Sequence, residues 1–354
     1  MATTYSVVGT SVLRDEGPDK VSGNAKYPAD MVVPGALSGK ILRSPFPHAR
    51  IVSIDPSKAR ALPGVHAVLI GSDLPDRPVG RLLRDCPVLA RDHVRFVGEK
   101  VAAVAADTDE IAEEALLLIE VEYEEIPAIF DPTEAMEDSA PTLHPNKADY
   151  IGLPQPISKV NNVLAENHWS KGDVDQGFSE SDLIFEHSFS AQMMHQAYIE
   201  PHACIVKVAG TGKVEIWANN KGPFMLRDQL AAAADISTDQ ITLYPCNIGG
   251  DFGGKGSFMD VPLCYYLSLH AGKPVKMFMD YIQELMAGNP RHPAEITLKT
   301  GVKKDGRIWA RQAYVVFNSG AYGAFKPRVY LGGSDHLGGA YQIPHVNIDS
   351  FMVY

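Results

Sequence analysis

The chain has 354 residues, of which 45% are hydrophobic and 21% are charged, a composition typical of a globular protein with two domains. Its formal net charge of -11 argues against a nucleic-acid-binding surface, which needs a basic face. No apolar run is long enough to span a membrane, and residues 1–6 lack the basic and apolar segments of a signal peptide, so we predict a cytoplasmic protein.

The first third of the chain predicts a small α+β domain over residues 20–130. Residues 1–19 form a lead-in, and the sequence rich in Gly, Pro and charge predicts irregular structure up to about Leu42. Apolar patterning predicts strands at 49–54, 65–70, 97–106 and 119–126, with a helical turn at 56–61. Thr108 precedes a predicted helix at 109–118, and its hydroxyl can accept a free backbone N–H there.

The rest of the chain predicts a linker and a second domain. Residues 131–165 are rich in Pro, Asp and Asn and are predicted to form a surface linker ahead of a domain at 166–354. In that domain we predict strands at 183–192, 203–208, 214–218, 240–246, 275–279, 294–302 and 308–318, and helices at 224–234 and 258–269. Residues 347–354 also resemble an apolar strand. We predict that it forms an open sheet edge, which would invite pairing with another chain.

The most informative segment is the glycine-rich run from Ile248 to Ser257, between a predicted strand and a predicted helix. Glycine lets the backbone approach a bound group and present its N–H donors. Three interpretations are open: a nucleotide phosphate loop, a tight structural turn, or a cradle for an organic or metal cofactor. The phosphate loop is disfavoured because Gly256 stands where that motif needs a hydroxyl for Mg²⁺, and bulky Phe252 lies inside the loop.

The loop reads Gly249-Gly250-Asp251-Phe252-Gly253-Gly254-Lys255. It resembles the Gly-Gly-Gly-Phe-Gly-Gly-Lys loop of the molybdenum hydroxylases, the family of xanthine dehydrogenase and aldehyde oxidoreductase. Further segments resemble motifs of that family in the family's order: 14–27, 43–51, 61–65, 97–99, 198–203, 291–293 and 320–322. Because the ordered set covers nearly the whole chain, the chain is similar to the N-terminal half of that family's molybdopterin-binding large subunit.

The resemblance implies a fold and a cofactor. The fold is an α/β-hammerhead domain at 20–130, followed by the first part of a mixed α+β molybdenum-cofactor-binding domain. The cofactor is molybdopterin with molybdenum, in its plain or cytosine dinucleotide form, and the metal is held through the pterin without a direct protein ligand. The implied site residues are Gly250, Asp251, Phe252, Gly253 and Gly254, with Lys221 and Glu200 as further candidates. The backbone N–H groups around Phe252 and Gly253 are expected to face the pterin and the oxo ligand.

The resemblance also implies a reaction and partner chains. The family hydroxylates an aldehyde or an N-heteroaromatic carbon with oxygen from water, and the electrons leave through iron–sulfur clusters to a flavin. The four cysteines, Cys86, Cys204, Cys246 and Cys264, have no CxxC spacing, and we expect them to be buried reduced thiols. The 2Fe-2S and FAD centres are therefore expected on partner chains, a small and a medium subunit.

Two departures from the family pattern concern residues of the site. Lys221 stands where many members have a glutamine whose amide donates to the oxo ligand. Lysine can also donate, Asn219 or Asn220 is an alternative donor, and a lysine that faces solvent is the ordinary interpretation. Gly256 and Gly332 stand where purine-oxidising members place a glutamate and an arginine, so a purine substrate is disfavoured.

A third departure concerns the catalytic base. The family's glutamate base is expected beyond Tyr354, so no catalytic residue is predicted within residues 1–354. We therefore expect the chain to work with a complementary C-terminal half or a second large-subunit chain. The alternative is a truncated or non-catalytic paralogue that has the fold without a complete active site.

Several charged residues have more than one interpretation. His195, Glu200 and His202 form either a metal cluster or, as the ordinary interpretation, internal hydrogen bonds of the cofactor domain. Lys255 is expected either to neutralise a phosphate of the cofactor or to pair with a carboxylate, and the alternative is a turn residue that faces solvent. Arg291 is expected to donate to backbone carbonyl groups at a bend.

Overall fold

The computed structural model describes residues 5–153, 161–326 and 333–354, within which fifteen strands form three sheets. The strands are β1 Leu37–Arg43, β2 Ala49–Asp55, β3 Val65–Ile70, β4 His93–Val94, β5 Lys100–Ala106, β6 Glu120–Glu125, β7 Val163–Lys171, β8 Leu183–Ala191, β9 Ala203–Val208, β10 Val214–Ala218, β11 Ile241–Tyr244, β12 Val275–Phe278, β13 Ala294–Val302, β14 Ile308–Asn318 and β15 His345–Val353. The helices are α1 Gly17–Ser22, α2 Ser57–Ala61, α3 Asp109–Leu117, α4 Pro132–Ala135, α5 Val174–Ser179, α6 Pro223–Ala234, α7 Val261–Ala271 and α8 Tyr281–Ala287. The predicted α+β class is confirmed.

A seven-stranded sheet with the order β11-β10-β9-β12-β1-β5-β3 organises the molecule. Strands β1 and β12 pair in parallel, with Leu37 opposite Val275, so the sheet combines strands from both predicted domain ranges. Helices α6 and α7 contribute Leu226, Leu230, Leu263 and Leu267 to the large apolar core on this sheet. The glycine-rich loop therefore leaves an edge strand, β11, and leads into a helix that is packed into the core.

The prediction of irregular structure up to Leu42 is wrong, because α1 and β1 lie in that segment. Glycine weakens a strand pattern, and β1 contains Gly39. A Cβ atom at Gly39 would lie 2.5 Å from Met277 Cγ and 2.8 Å from Val275 Cγ1. The missing side chain thus permits close packing on β12, and this strand depends on a tertiary pairing that local sequence does not reveal.

The prediction that the last strand is an open edge is also wrong. The five-stranded sheet has the order β7-β15-β14-β13-β8, with β15 parallel to β14 and antiparallel to β7. Phe351, Met352 and Val353 are buried in this position. The second neighbour is β7, which begins inside the segment predicted as a linker. The exposed edge is instead β8, all of whose residues are exposed.

The remaining sheet, with the order β4-β2-β6, lies in the N-terminal region. The helix predicted at 109–118 and its cap are confirmed: α3 begins at Asp109, and Thr108 Oγ1 accepts the Ile111 N–H at 3.3 Å. Ala112 and Ala115 of α3 are buried against the apolar face of β5. Within the described ranges, no helix has the length and apolar character that a membrane crossing requires.

Candidate functional site

The glycine-rich loop turns outward from the core with an unusual backbone. Gly250 and Gly253 both have φ of 104°, a conformation that favours glycine, and Phe252 has φ of 44°. The Phe252 side chain is 64% exposed. A non-glycine residue held at positive φ is strained, and such strain is typical of functional sites. The loop therefore presents its backbone and one aromatic ring at the surface of this chain.

Asp251 organises the loop from within. Its Oδ1 accepts the Lys255 N–H at 2.6 Å, and its Oδ2 accepts the Gly253 N–H at 3.1 Å. Burial raises the pKa of the Asp251 carboxyl, but hydrogen bonds from Lys221 and the loop N–H groups outweigh burial, and the pKa lies below its usual range. The Gly253 N–H is thus used inside the loop, whereas the Phe252 N–H donates to no acceptor among the described residues.

Lys221 does not simply point into solvent. Its Nζ lies 2.8 Å from Asp251 Oδ2, and its backbone N–H donates to the Lys255 carbonyl at 2.9 Å. The Lys221 side chain is 42% exposed. The structure therefore brings this sequence-predicted residue to the loop, where its charge is compensated by Asp251.

The two asparagines that could replace Lys221 as donors are engaged elsewhere. Asn219 Nδ2 donates to the Pro201 carbonyl at 2.7 Å, and its Oδ1 accepts the Ala203 N–H at 3.0 Å. Asn220 Nδ2 donates to the Ser257 carbonyl at 2.7 Å. Both side chains thus hold backbone segments in place.

A buried ion pair supports the loop from below. Lys255 Nζ lies 2.7 Å from Glu200 Oε2, and the Lys255 side chain is 0% exposed. The same Glu200 oxygen accepts the Gly249 N–H at 2.7 Å, and the ammonium group lies 4.6 Å from the centre of the Tyr198 ring. Burial lowers the pKa of Lys255 despite the Glu200 charge. The structure supports the pairing of Lys255 with a carboxylate, and the interpretation of Lys255 as a turn residue that faces solvent is wrong.

The sequence did not reveal Glu284, which is the most buried acid near the site. This residue of α8 is 0% exposed, and its carboxylate accepts the Tyr198 O–H at 2.5 Å and the His202 N–H at 2.7 Å. His202 Nδ1 lies 2.9 Å from Glu284 Oε1, and His195 Nε2 lies 3.4 Å from the same oxygen. Burial raises the pKa of Glu284, but the hydrogen bonds from His202 and Tyr198 outweigh burial and hold the pKa at about 2.

The metal-cluster interpretation of His195, Glu200 and His202 is wrong for this part of the chain. The two histidines turn toward Glu284, whereas Glu200 turns toward Lys255. Across the described ranges, no group of three or more His, Cys, Asp or Glu side chains is placed to hold a metal ion. The hydrogen-bonded interpretation accounts for all three residues.

The remaining site residues also have clear positions. Arg291 Nη2 donates to the Phe252 carbonyl at 3.1 Å, as expected of an arginine that binds backbone at a bend. Cys86, Cys204 and Cys264 are buried free thiols, and Cys246 is half-buried. Gly332, the second position compared with purine-oxidising proteins, lies outside the described residues.

The loop has open space and unpaired polar atoms beside it. A Cβ atom at Gly253 would meet no atom within 4 Å, so open space lies over the loop at this residue. Three buried side-chain atoms in the loop and its support have no hydrogen-bond partner among the described residues: Gln196 Oε1, Glu200 Oε1 and Ser257 Oγ. Because buried polar atoms are normally paired, this set is consistent with a polar partner beside the loop.

Two alanine substitutions separate backbone strain from crowding in the loop. Gly253→Ala adds a Cβ to open space and is expected to cost about 1 kcal/mol through its positive φ alone. Gly250→Ala has the same φ but places Cβ 2.8 Å from Tyr198 Cβ, so we expect a further loss of about 1–3 kcal/mol. Urea unfolding of both variants measures the difference. Equal losses would contradict the contact between the loop and Tyr198.

Comparison with known families agrees with this architecture. A model described as "Aldehyde oxidase and xanthine dehydrogenase, a/b hammerhead domain" matches residues 22–127. A second model, described as "Molybdopterin cofactor-binding domain", matches residues 156–354. The expected hammerhead domain, followed by part of a cofactor-binding domain, is thereby confirmed.

Curated relatives match over nearly the whole chain. A protein of Bacillus subtilis that is named as a probable xanthine dehydrogenase component is 36% identical over 345 residues, which are 97% of this chain and 44% of the relative. The "Nicotinate dehydrogenase large molybdopterin subunit" of Eubacterium barkeri is 33% identical over 355 residues, which are 100% of this chain and 80% of the relative. The chain thus spans less than half of the first relative and most of the second.

Solved structures are similar in fold. CO dehydrogenase from Oligotropha carboxidovorans superposes with a TM-score of 0.90 at 29% identity, over 98% of this chain and 44% of that one. Quinoline 2-oxidoreductase from Pseudomonas putida 86 superposes with a TM-score of 0.86 at 30% identity, over 98% and 44% of the two chains.

Proposed function

This chain belongs to the molybdenum hydroxylase family, and from that premise we propose that it forms the cofactor-binding portion of a hydroxylase acting on an aldehyde or an N-heteroaromatic carbon, with water as the oxygen source. The observation that carries the proposal is the strained glycine loop, which has open space over Gly253 and rests on the buried Lys255–Glu200 pair. The relative from Eubacterium barkeri, named a nicotinate dehydrogenase, supports a heteroaromatic substrate.

In this proposal the loop holds the pterin through its backbone. The Phe252 N–H is a donor without an acceptor among the described residues, and the Gly250 and Gly253 backbones permit close approach. Asp251 and Lys255 keep the loop in shape, so their role is positioning. The molybdenum cofactor, when bound, supplies the redox chemistry, and the protein orients it and excludes water.

The partners and the base are part of the same proposal. We expect a 2Fe-2S subunit, an FAD subunit and the complementary C-terminal half of the large subunit, which would supply the base. The relatives include a chain named as a large molybdopterin subunit, which supports a multi-chain enzyme. The exposed strand β8, with Leu183, Phe185 and Phe189 at its surface, is available for such contacts. The cofactor's dinucleotide form and a cytoplasmic location stay predictions.

Metal analysis of the purified multi-chain complex tests the proposal. We expect about one molybdenum per chain in the complex, and little molybdenum and no turnover in the chain alone. Gly253→Val projects a side chain into the space over the loop and should remove most of the metal. Gly306→Val is the matched control, since Gly306 also has positive φ and open space but lies in the β13–β14 turn. Stoichiometric molybdenum and activity in the isolated chain would contradict the multi-chain proposal.

The second candidate is a non-catalytic paralogue. It is favoured by one observation: Asp251 occupies the Gly253 N–H and pairs with Lys221, which reduces the donors that the loop can offer. A complex that assembles but contains no molybdenum after expression in a host that makes the cofactor would support this candidate over the hydroxylase.

A further inference from the structure

Two cations from different parts of the chain converge on Gly256. A Cβ atom built on Gly256 would lie 3.0 Å from Lys221 Cε and 3.4 Å from Arg81 Nη1. Arg81 lies in the long loop that follows β3, and its backbone N–H donates a hydrogen bond to the Ala324 carbonyl at 2.7 Å. Gly256 thus leaves room for both long side chains directly after the glycine-rich loop.

The two cations differ in their partners. Lys221 is compensated by Asp251 at 2.8 Å. The Arg81 guanidinium has no carboxylate within ion-pair distance among the described residues, and its Nη2 donates a hydrogen bond to Met225 Sδ at 3.3 Å. A thioether is a weak acceptor. Burial lowers the pKa of the half-buried Arg81, because its charge loses solvation.

A half-buried guanidinium without an anionic partner favours the binding of a planar anion. Its fork of N–H donors matches the two oxygens of a carboxylate, and a charge-assisted pair compensates for lost solvation. The local charge limits the choice further. Lys221 and Asp251 cancel, so one positive charge remains, which matches a carboxylate better than a doubly charged phosphate.

We propose that Arg81 binds a carboxylate of the substrate beside Gly256, with Lys221 next to it, so that the substrate class is heteroaromatic carboxylic acids. This inference rests on the proposed function, because it assigns the ligand of the same site. Arg81 then decides between acids and their neutral analogues. A glutamate at position 256 would instead place a negative charge beside Lys221 and Arg81. The subsite would then have no net charge.

Calorimetric binding of two matched ligands to the purified complex tests the assignment. The probes are pyridine-3-carboxylate and its neutral analogue pyridine-3-carboxamide. We expect the complex to bind the acid roughly tenfold or more tightly than the amide, the effect of one hydrogen bond to a charged group. Arg81→Met should abolish this preference, and Arg81→Lys should retain part of it.

The control is Arg77→Met, in the same loop, where Arg77 pairs with Asp235 at 3.0 Å on the surface. This variant should keep the full preference. Unchanged preference in Arg81→Met would overturn the proposal. So would a loss of molybdenum in Arg81→Met, since Arg81 would then hold a phosphate of the cofactor. A complex without any molybdenum contradicts the proposed function, whereas the acid preference and its dependence on Arg81 are still measurable in that complex.

Discussion

Replacing Lys255 with methionine is expected to lower the free energy of unfolding by about 3–5 kcal/mol. The reason is that Lys255 is fully buried and pairs with Glu200 at 2.7 Å, so its loss leaves the Glu200 carboxylate without its cation. Glu200 also holds the Gly249 N–H, so the start of the glycine-rich loop should loosen with it. Urea unfolding, followed by circular dichroism, measures the change.

Two further variants make the Lys255 prediction specific. The double variant Lys255→Met with Glu200→Gln removes both charges while keeping an oxygen for Gly249, and it should recover part of the loss. Lys207→Met is the matched control, because Lys207 and Glu215 form a pair of similar length, 2.6 Å, that is partly exposed. We expect that control to cost about 1 kcal/mol or less. A similar loss in Lys207→Met and Lys255→Met would show that burial of the pair is unimportant.

Glu284 is expected to make the stability of the chain depend on pH in the acid range. Its pKa in the folded protein is about 2, below the usual value of 4.5, because His202 and Tyr198 donate to its carboxylate. The charged form is therefore favoured by folding, and at neutral pH this contributes about 3 kcal/mol. The contribution is present above pH 4.5 and is lost as the pH falls from 4.5 toward 2.

The measurement is the difference in unfolding free energy between the wild-type chain and Glu284→Gln across this range. Other carboxyl groups titrate in both proteins and cancel in the difference. At pH 7 the variant should be less stable by about 3 kcal/mol, and the gap should close at acid pH. Glu215→Gln, at a half-exposed site, should give a much smaller gap. A gap for Glu284→Gln that stays constant with pH would refute the titration of Glu284.

Local pattern was sufficient for much of the fold. Strands β3, β9, β10, β13 and β14 have the predicted bounds, because their apolar alternation and flanking turn residues are local signals. The glycine-rich loop was also recognisable, since glycine at positive φ and an aromatic residue among glycines leave a sequence pattern.

Long-range pairing accounts for the strands and the buried acid that the local sequence pattern did not predict. Strand β1 was not predicted because Gly39 weakens its sequence pattern. The absence of a side chain at Gly39 leaves space for Met277 of the neighbouring strand. Strand β15 was expected at an edge because nothing local indicates that β7 pairs with it. Glu284 and its helix α8 were not predicted from the sequence, because Glu284 receives its hydrogen bonds from residues more than 80 positions away in the chain.

Ordered motifs and local backbone preferences were sufficient to predict the family, the α+β class and the position of the glycine-rich loop between a strand and a helix. The pairing of the charges at the site became visible only in the folded chain: Lys255 pairs with Glu200, Lys221 pairs with Asp251, and Arg81 has no anion among the described residues. The physical reason is that ion pairing and burial are set by distances between residues far apart in sequence, and those distances exist only after the sheets have assembled.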